Sequence, residues 1–253
     1  MKNKEVINHI VNWLKNYAQD NKMNGFVVGV SGGIDSALTS TLCAKTGLPT
    51  LCLEMPIKQQ QSQVDRAQEH IRWLRKHHTN VAEKMVLLYP VFDALSKAVE
   101  ADEQKNEDLL SLANTRARLR MVTLYYYAAC KRYLVAGTGN KVEDFGVGFY
   151  TKYGDGGVDL SPIADLSKTQ VRALASTLGV DQKILNAPPT DGLWDDGRND
   201  EEQLDATYEQ LEWAMTQHAA GKSPADFVGE NARVFEVFLS HHNANKHKME
   251  PIP

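Results

Sequence analysis

A short apolar run that leads directly into a glycine-rich turn and then a helix constrains this chain more than any other feature. The run is Phe26-Val27-Val28, the turn is Gly29-Val30-Ser31-Gly32-Gly33-Ile34-Asp35-Ser36, and residues 37–44 favour a helix. Because glycine lacks a Cβ, the backbone of such a turn approaches a ligand closely. The free N–H groups and the positive end of the helix dipole attract an anion. The pattern therefore predicts a phosphate-binding loop over residues 29–36.

Asp35 is the acidic residue of this loop, and a carboxylate beside a phosphate is repelled. A divalent cation between the two groups removes the repulsion, and Mg²⁺ commonly takes one or two carboxylates together with phosphate oxygens. Ser31 and Ser36 add hydroxyl donors. The alternative is an ordinary glycine turn in which Asp35 caps the helix. The loop matches neither the Walker pattern nor Gly-x-Gly-x-x-Gly.

Apolar runs and helical repeats alternate along the first 145 residues. The predicted strands are 25–30, 51–55, 85–88 and 133–137, and the predicted helices are 6–19, 35–46, 62–77 and 109–131. This alternation predicts an α/β fold, a Rossmann-like doubly wound parallel sheet with helices on both faces. Ligands of such sheets bind beyond the carboxyl ends of the strands. Two glycine-rich segments, after Val30 and after Ala136, fall at such ends.

The rest of the chain predicts loops and helices without a second domain. The predicted loops are 100–108, 149–157 and 186–200, the last of them mobile, and the predicted helices are 168–178, 200–218 and 231–242. Ser167 is a plausible N-cap and Gly179 ends the first of these helices. We expect one domain over residues 1–253.

Composition narrows the class of protein. The 253 residues suffice for one large α/β domain. A net charge of −4 and a pI near 6.1 disfavour a general nucleic-acid surface. No apolar run approaches the roughly 18 residues of a membrane span, and we expect no membrane partner. Cys43, Cys52 and Cys130 form no CxxC pair, which favours a reducing, cytoplasmic location, with a sulfur-transfer cysteine as the alternative.

Glu143 and Lys168 are further candidates. Glu143 follows the glycines after the fourth strand and could be a second metal ligand, or a solvated glutamate in a first helical turn. Thr138 could donate to a nucleotide. Lys168 opposes the dipole at its helix start unless an anion lies nearby, and is otherwise a surface lysine. Arg116, Arg118 and Arg120 alternate on a helix, so they cannot all serve one site.

Five segments carry a family resemblance by their order along the chain. They are Ser-Gly-Gly-Ile-Asp-Ser (31–36), Ala-Arg-Leu-Arg-Met (117–121), Gly-Thr-Gly-Asn-Lys-Val-Glu (137–143), Phe-Tyr-Thr-Lys-Tyr-Gly-Asp-Gly-Gly (149–157) and His247-Lys248. The first resembles the pyrophosphate loop of the N-type ATP pyrophosphatases. Together they resemble the ammonia-dependent NAD synthetases over nearly the whole chain, and the string around Lys152 is the most specific of them.

This resemblance implies that ATP adenylates the carboxylate of deamido-NAD and that ammonia then displaces AMP, which gives NAD. It implies Mg²⁺ at Asp35 and Glu143, and a catalytic group of Asp35, Lys168 and Asp155, with Asp159 as the alternative to Asp155 for accepting a proton from ammonium. Its ATP contacts are Gly29, Val30, Ser31, Gly32, Gly33, Ile34, Asp35, Ser36, Thr138, Lys168 and Thr190. Its deamido-NAD contacts are Arg118, Lys152, Asp159, His247 and Lys248. It also implies a homodimer, and we expect no glutaminase domain.

One segment departs from the family pattern. Many bacterial members have Gly-Thr-Asp-His-Ala-Ala-Glu where this chain has Gly-Thr-Gly-Asn-Lys-Val-Glu. Thr138 and Glu143 keep their places, but the Asp-His pair is replaced by Gly139 and Asn140. The competing readings are a GMP synthetase-like amidating enzyme or a tRNA-modifying enzyme of the same loop class, and a non-catalytic nucleotide sensor. Pyrophosphate release separates an enzyme from a sensor.

Overall fold

A single parallel sheet organises the first half of the chain. The computed structural model describes residues 2–190, 192–193 and 199–251. All pairings between neighbouring strands are parallel, in the order β3-β2-β1-β4. The strands are β1 (Gly25–Gly29), β2 (Thr50–Glu54), β3 (Val81–Met85) and β4 (Tyr133–Val135).

Helices surround this sheet and continue beyond it. The described α-helices are α1 (Asn3–Asp20), α2 (Ile34–Lys45), α3 (Gln61–His77), α4 (Tyr89–Ala98), α5 (Asn106–Lys131), α6 (Lys168–Thr177), α7 (Gln182–Leu185), α8 (Asp200–Leu204), α9 (Tyr208–Ala219) and α10 (Gly229–Met249). None of them combines the length and apolar character that a membrane span requires.

The alternation of side chains along β1 explains why helices cover both faces. Phe26 and Val28 pack with α1, α2 and α6, whereas Val27 points to the opposite face and packs with α4 and α5. Successive side chains of a strand point to opposite faces, so a run without polar residues indicates burial on both sides. The predicted doubly wound parallel sheet is confirmed.

A separate apolar cluster lies among the later elements. Residues 142–147 form a short π-helical turn, and Val142 and Val147 pack there against α9 and α10. Tyr208, Phe235 and Phe238 are fully or almost fully buried in this cluster. It fixes the turn that carries Glu143.

Several predicted elements were placed wrongly. The third strand is Val81–Met85 rather than 85–88, and residues 89–98 form α4, which was not predicted. This edge strand reads Val-Ala-Glu-Lys-Met and is mostly exposed, so it has no apolar run to reveal it. The helix predicted over 200–218 is two helices, because Asp205 takes a left-handed φ of 52° and Thr207 begins a new capping box.

The remaining boundaries differ by smaller amounts. α10 extends from Gly229 to Met249, seven residues beyond the predicted end at His242, and α5 begins at Asn106 inside the predicted loop 100–108. α6 begins after Ser167, whose capping box with Gln170 confirms the predicted N-cap. The loop predicted at 186–200 lies partly outside the described residues.

Candidate active site

The glycine-rich loop joins β1 to α2 with the geometry of an anion cradle. Gly32 has a φ of +84°, and a Cβ there would overlap the carbonyl oxygen of Gln63, so only glycine fits. Arg66 of α3 donates to the Gly32 carbonyl at 3.2 Å. The Ser36 hydroxyl accepts from the N–H of Ser31 at 3.2 Å and donates to the carbonyl of Gly33 at 2.9 Å. These bonds hold the turn open at the start of α2.

A pocket of about 250 Å³ lies over this loop. Most of the predicted ATP contacts line it, together with Glu143 and Asp155: Gly29, Val30, Ser31, Gly33, Ile34, Asp35, Ser36, Thr138, Lys168 and Thr190. Gly32 is turned toward α3 instead. β1 and β4 are neighbours in the sheet, so the segments that follow them converge at one edge. The segments after β1 and β4 thus line one pocket.

Lys168 is buried at the centre of an acidic cluster. Its Nζ donates to Oδ2 of Asp35 at 2.7 Å and to Oε1 of Glu143 at 3.2 Å, and its side chain is 3% exposed. Burial alone would lower the pKa of Lys168, but the charges of Asp35 and Glu143 outweigh it and raise the pKa above its usual value. Lys168 is therefore a cation at neutral pH, and the anion that its position at a helix start requires is present.

The residues present fit a divalent cation. One carboxylate oxygen of Asp35 and one of Glu143 point to the same position, and the ammonium group of Lys168 occupies that position. Two carboxylates are a common protein contribution to a Mg²⁺ site completed by phosphate and water. No group of three or more His, Cys, Asp or Glu side chains is gathered for a metal within the described ranges. A metal here would depend on oxygens brought by the nucleotide.

Two residues missed by the sequence argument hold Glu143 and Asp35. The Tyr208 hydroxyl donates to Glu143 Oε1 at 2.6 Å, and the Tyr208 ring lies 4.4 Å from Nζ of Lys168. Asn140 Nδ2 donates to Asp35 Oδ1 at 3.2 Å. Asn140 stands in the segment that departs from the family pattern, which was a usable signal. Nothing in the sequence around Tyr208 indicated a site.

Asp144 adds another acidic group beside the cluster. Burial first, and then the negative charges of Glu143, Asp155 and Asp35, raise the pKa of Asp144 to about 7. Asp144 was not predicted as a site residue, although it directly follows Glu143.

The predicted deamido-NAD contacts gather at a second location, where α10 meets the loop 149–159. Nζ of Lys152 donates to the carbonyl of His247 at 3.0 Å, and Nζ of Lys248 donates to the carbonyl of Tyr150 at 2.8 Å. Arg118 reaches the carbonyl of Lys152 from α5 at 3.4 Å. These contacts lie outside the lining of the pocket over the glycine-rich loop.

Asp159 is anchored separately, at the end of β4. Its carboxylate accepts from the N–H of Val135 at 2.8 Å and from the Tyr125 hydroxyl at 3.0 Å. The structure thus gives Asp159 a local role in fixing the strand end.

The three arginines of α5 point to three destinations. Arg116 donates to the carbonyl of Leu193, Arg118 to that of Lys152, and Arg120 to that of Met55. Arg120 also lines the pocket. The expectation that alternate positions cannot serve one site is confirmed.

The sheet, the glycine-rich loop and the acidic cluster around Lys168 define an α/β protein with a nucleotide-type phosphate cradle at the edge of a parallel sheet. The model of one family, NAD synthase, matches residues 6–252. The chain belongs to the NAD synthase family, and the resemblance drawn from the sequence is confirmed.

Individual relatives agree. An NH(3)-dependent NAD(+) synthetase from Carboxydothermus hydrogenoformans is 37% identical over 87% of this chain and 88% of its own. One from Methanocaldococcus jannaschii is 36% identical over 98% and 96%. The structure of NMN synthetase from Francisella tularensis matches all of this chain and 98% of its own, with a TM-score of 0.86 and 34% identity. The chain is a ligase of this family.

Proposed function

We propose that this protein makes NAD from deamido-NAD, using ATP and ammonia and releasing AMP and pyrophosphate. The observation that carries the proposal is the buried cation of Lys168 between Asp35 and Glu143, at the edge of a pocket lined by the glycine-rich loop. That arrangement suits the meeting of two anions, ATP and a carboxylate, because it offers main-chain donors and a fixed positive charge together.

In the first step an oxygen of the substrate carboxylate attacks the α-phosphorus of ATP, and the bond to the bridging oxygen of pyrophosphate breaks. No protein nucleophile is needed, so the contribution of the chain is positioning and charge stabilisation. The loop 29–36 and Thr138 hold the phosphates, and Lys168 neutralises the charge that develops on them. Thr190 lines the same pocket.

In the second step ammonia attacks the acyl carbon of the adenylate and AMP leaves with the bonding electrons. The nitrogen loses a proton in this step. Asp155 accepts that proton in this proposal, and its support is that it lines the pocket and that its Oδ1 accepts from the N–H of Thr151 at 3.0 Å.

Asp35 and Glu143 would hold Mg²⁺. When bound, the ion supplies positive charge to the phosphate oxygens of ATP. Lys168, which pairs with these two carboxylates, would then have phosphate oxygens as its partners, and its buried charge would stay paired.

The loop 149–159 and the end of α10 would bind deamido-NAD through Arg118, Lys152, Asp159, His247 and Lys248. The protein would act as a cytoplasmic homodimer. The side chains of Val122 and Tyr126, four residues apart on α5 and both exposed, support a covered face there. Cys43, Cys52 and Cys130 are free thiols.

The test is the appearance of NAD and pyrophosphate when the protein is mixed with ATP, Mg²⁺, deamido-NAD and ammonium. Equal yields of both products are expected with ammonium and none with glutamine. Pyrophosphate release that does not depend on deamido-NAD, or no release at all, would contradict the proposal.

One observation supports an alternative substrate for the same reaction. The Francisella tularensis structure described as an NMN synthetase matches this chain along its whole length. The same adenylation and amidation on nicotinic acid mononucleotide would give NMN. The ratio of kcat/KM for deamido-NAD to kcat/KM for the mononucleotide decides between the two, and we expect it to favour deamido-NAD.

A further inference from the structure

One carboxyl in the lining of the pocket over the glycine-rich loop has no role in the two reaction steps. Glu54 is the last residue of β2, it lines this pocket, and it is 5% exposed. Its Oε1 accepts from Nε2 of Gln68 at 3.3 Å, which is long for a hydrogen bond. Its Oε2 is buried and has no hydrogen-bond partner among the residues that the structure describes. Half of this carboxyl is therefore unsatisfied.

A buried carboxylate oxygen without a partner is costly. Buried polar atoms nearly always have hydrogen-bond partners, because burial removes the water that would otherwise solvate them. Burial raises the pKa of Glu54; the hydrogen bond from Gln68 lowers it, and the charge of Glu83 raises it further. The preceding residues of β2 are buried without any charge, so the strand itself requires none at this position. A ligand that donates a hydrogen bond would explain the carboxyl.

The register of the sheet places Glu54 beside the phosphate cradle. Gly29 pairs with Leu53, and the N–H of Val30 donates to the carbonyl of Leu53 at 2.8 Å. Glu54 thus follows directly beside the start of the glycine-rich loop. Side chains alternate along a strand, so Glu54 points to the same face as Cys52, which packs against α3. Glu54 therefore lies on the α3 side of the pocket.

The two sides of this pocket differ in polarity. On the side of β4 and α6, the charges of Asp35, Glu143 and Lys168 suit phosphates and a divalent cation. On the side of β2 and α3, the lining includes a group of apolar residues: Val30, Met55, Pro56, Val64 and Ala67. Ligand sites combine such an apolar lining with a few well-placed polar groups that fix orientation. The α3 side is therefore suited to the base of a nucleotide whose phosphates lie in the loop.

The edge of a purine base decides what a carboxylate can accept. Adenine carries an exocyclic amino group, which is a donor, where guanine and hypoxanthine carry a carbonyl oxygen, which is an acceptor. An ionised carboxylate only accepts hydrogen bonds, so it favours the amino group and repels the carbonyl oxygen. Ribose hydroxyls are also donors, and an acidic residue binds them in dinucleotide-binding sheets. The apolar lining around Glu54 favours the base over the sugar, because both ribose hydroxyls would need polar partners.

We propose that Glu54 selects adenine in the ATP site, with its carboxylate accepting a hydrogen bond from the exocyclic amino group of the base. This inference rests on the proposed function, because it assigns the position of the base of the ATP used there. Rotation about the last bond of the side chain presents Oε2 to the pocket, and terminal torsions of this kind are soft. Gln68 remains the donor to the other oxygen.

The experiment compares nucleotides that differ at the two kinds of donor. ATP, ITP and 2′-deoxy-ATP are titrated into the full-length protein with Mg²⁺ and without deamido-NAD, and Kd is measured by isothermal titration calorimetry. ITP has a carbonyl oxygen in place of the amino group, and 2′-deoxy-ATP lacks one ribose hydroxyl. The test variant is Glu54→Gln, whose amide both donates and accepts.

Glu83→Gln is the matched control. Glu83 lies on β3, the strand that pairs with β2, and it forms an ion pair with Arg75. It is absent from the lining of the pocket over the glycine-rich loop. This variant therefore removes one negative charge from the same region without changing the residue assigned to the base.

The wild type should bind ATP about tenfold or more tightly than ITP, as expected when a hydrogen bond to a charged group is lost and two acceptors face each other. Glu54→Gln should reduce this preference to about threefold or less, because its amide can also donate to the carbonyl oxygen of ITP. Its Tm should equal or exceed that of the wild type, because the shape is kept and a buried charge is removed. Glu83→Gln should keep the wild-type preference.

Three results would overturn the inference: equal affinity of the wild type for ATP and ITP, an unchanged preference in Glu54→Gln, or a preference for ATP over 2′-deoxy-ATP that Glu54→Gln removes. The last result would assign the carboxyl to the ribose. The first uses the wild type alone, so it decides the matter even if Glu54→Gln does not fold. Selective binding of ATP by a wild type that forms no NAD would refute the proposed function and leave this inference standing.

Discussion

The phenol oxygen of Tyr208 lies 2.6 Å from Oε1 of Glu143, the oxygen that also accepts a hydrogen bond from Lys168. The same phenol oxygen is 3.3 Å from Oδ2 of Asp200. Tyr208 is the first residue of α9 and is 1% exposed. Burial and the neighbouring carboxylates raise the pKa of Tyr208, so the hydroxyl keeps its proton and remains a donor. The apolar cluster formed with α10 thus sets the orientation of a candidate metal ligand.

Tyr208→Phe should weaken cation binding while leaving the ring over Lys168. The change removes only the hydroxyl that orients Glu143, and loss of such partners typically costs roughly 10–100-fold in metal affinity or activity. Mn²⁺ binding, followed by electron paramagnetic resonance with a non-hydrolysable ATP analogue present, measures the affinity directly.

Tyr133→Phe is the matched control, because Tyr133 is half-buried on β4 against the other face of the sheet. It should bind Mn²⁺ as the wild type does. Equal Mn²⁺ affinity in Tyr208→Phe and the wild type would show that Glu143 needs no orienting hydroxyl.

Asp35→Asn should abolish pyrophosphate release and retain the fold. Asparagine keeps the shape of the side chain and the packing of the loop, but it removes one of the two charges that pair with the buried Lys168. Breaking a buried pair costs up to about 3–5 kcal/mol. Glu143 still pairs with Lys168 in this variant, so we expect a smaller decrease in the free energy of unfolding, on the order of 1–3 kcal/mol.

Pyrophosphate release and urea unfolding measure the two effects on one preparation. Glu69→Gln is a suitable control, because Glu69 pairs with Lys183 on the surface and both are substantially exposed. Loss of this surface ion pair should change the free energy of unfolding by less than about 1 kcal/mol. Normal turnover in Asp35→Asn would contradict the metal and lysine roles given to this carboxylate.

The burial of His70 between α2 and α3 predicts that the stability of the folded protein decreases at acid pH. Its side chain is buried, and its Nε2 lies 3.0 Å from the Ser40 hydroxyl. Burial lowers the pKa of His70 to about 4, against 6.5 for an exposed histidine. Below pH 6.5 the unfolded chain takes up a proton that the folded chain refuses, so stability falls as pH decreases. The loss approaches about 3 kcal/mol by pH 4.

Urea unfolding from pH 7 to pH 4 tests this slope. His70→Gln should be less stable at pH 7 but should show a shallower decline, whereas His77→Gln, on the exposed side of α3, should keep the wild-type decline. An unchanged slope in His70→Gln would assign the acid sensitivity to other groups.

The sequence allowed prediction wherever local chemistry decides the structure. The loop 29–36 needs glycine at 32 because the backbone of α3 passes within contact distance, and buried strands such as β1 are visible as apolar runs. β3 was misplaced because an exposed edge strand has no such run. The contact of Tyr208 with Glu143 joins residues 65 positions apart, and no local pattern encodes it.

The acidic cluster was predictable only in part. Asp35 and Glu143 were candidates for one metal because both follow strands of one parallel sheet. Lys168 was assigned to the site only through the family resemblance, because its position at a helix start left a surface lysine as the alternative. Glu143 lies in a π-helical turn over residues 142–147, which no repeat in the sequence indicates.

Lys152→Ala should weaken the binding of deamido-NAD more than the binding of ATP. Lys152 reaches the carbonyl of His247, outside the pocket lined by the glycine-rich loop, so its removal leaves the phosphate cradle intact. A lysine that contacts a substrate anion contributes through its charge and is worth about 1–3 kcal/mol when partly buried. We therefore expect KM for deamido-NAD to rise by about fivefold or more and KM for ATP to change by less than about twofold.

Lys246→Ala removes a neighbouring cation of α10 that pairs with Glu250, and it should leave both constants unchanged. An equal rise in the two KM values of Lys152→Ala would place Lys152 at a step common to both substrates and contradict its assignment to the dinucleotide.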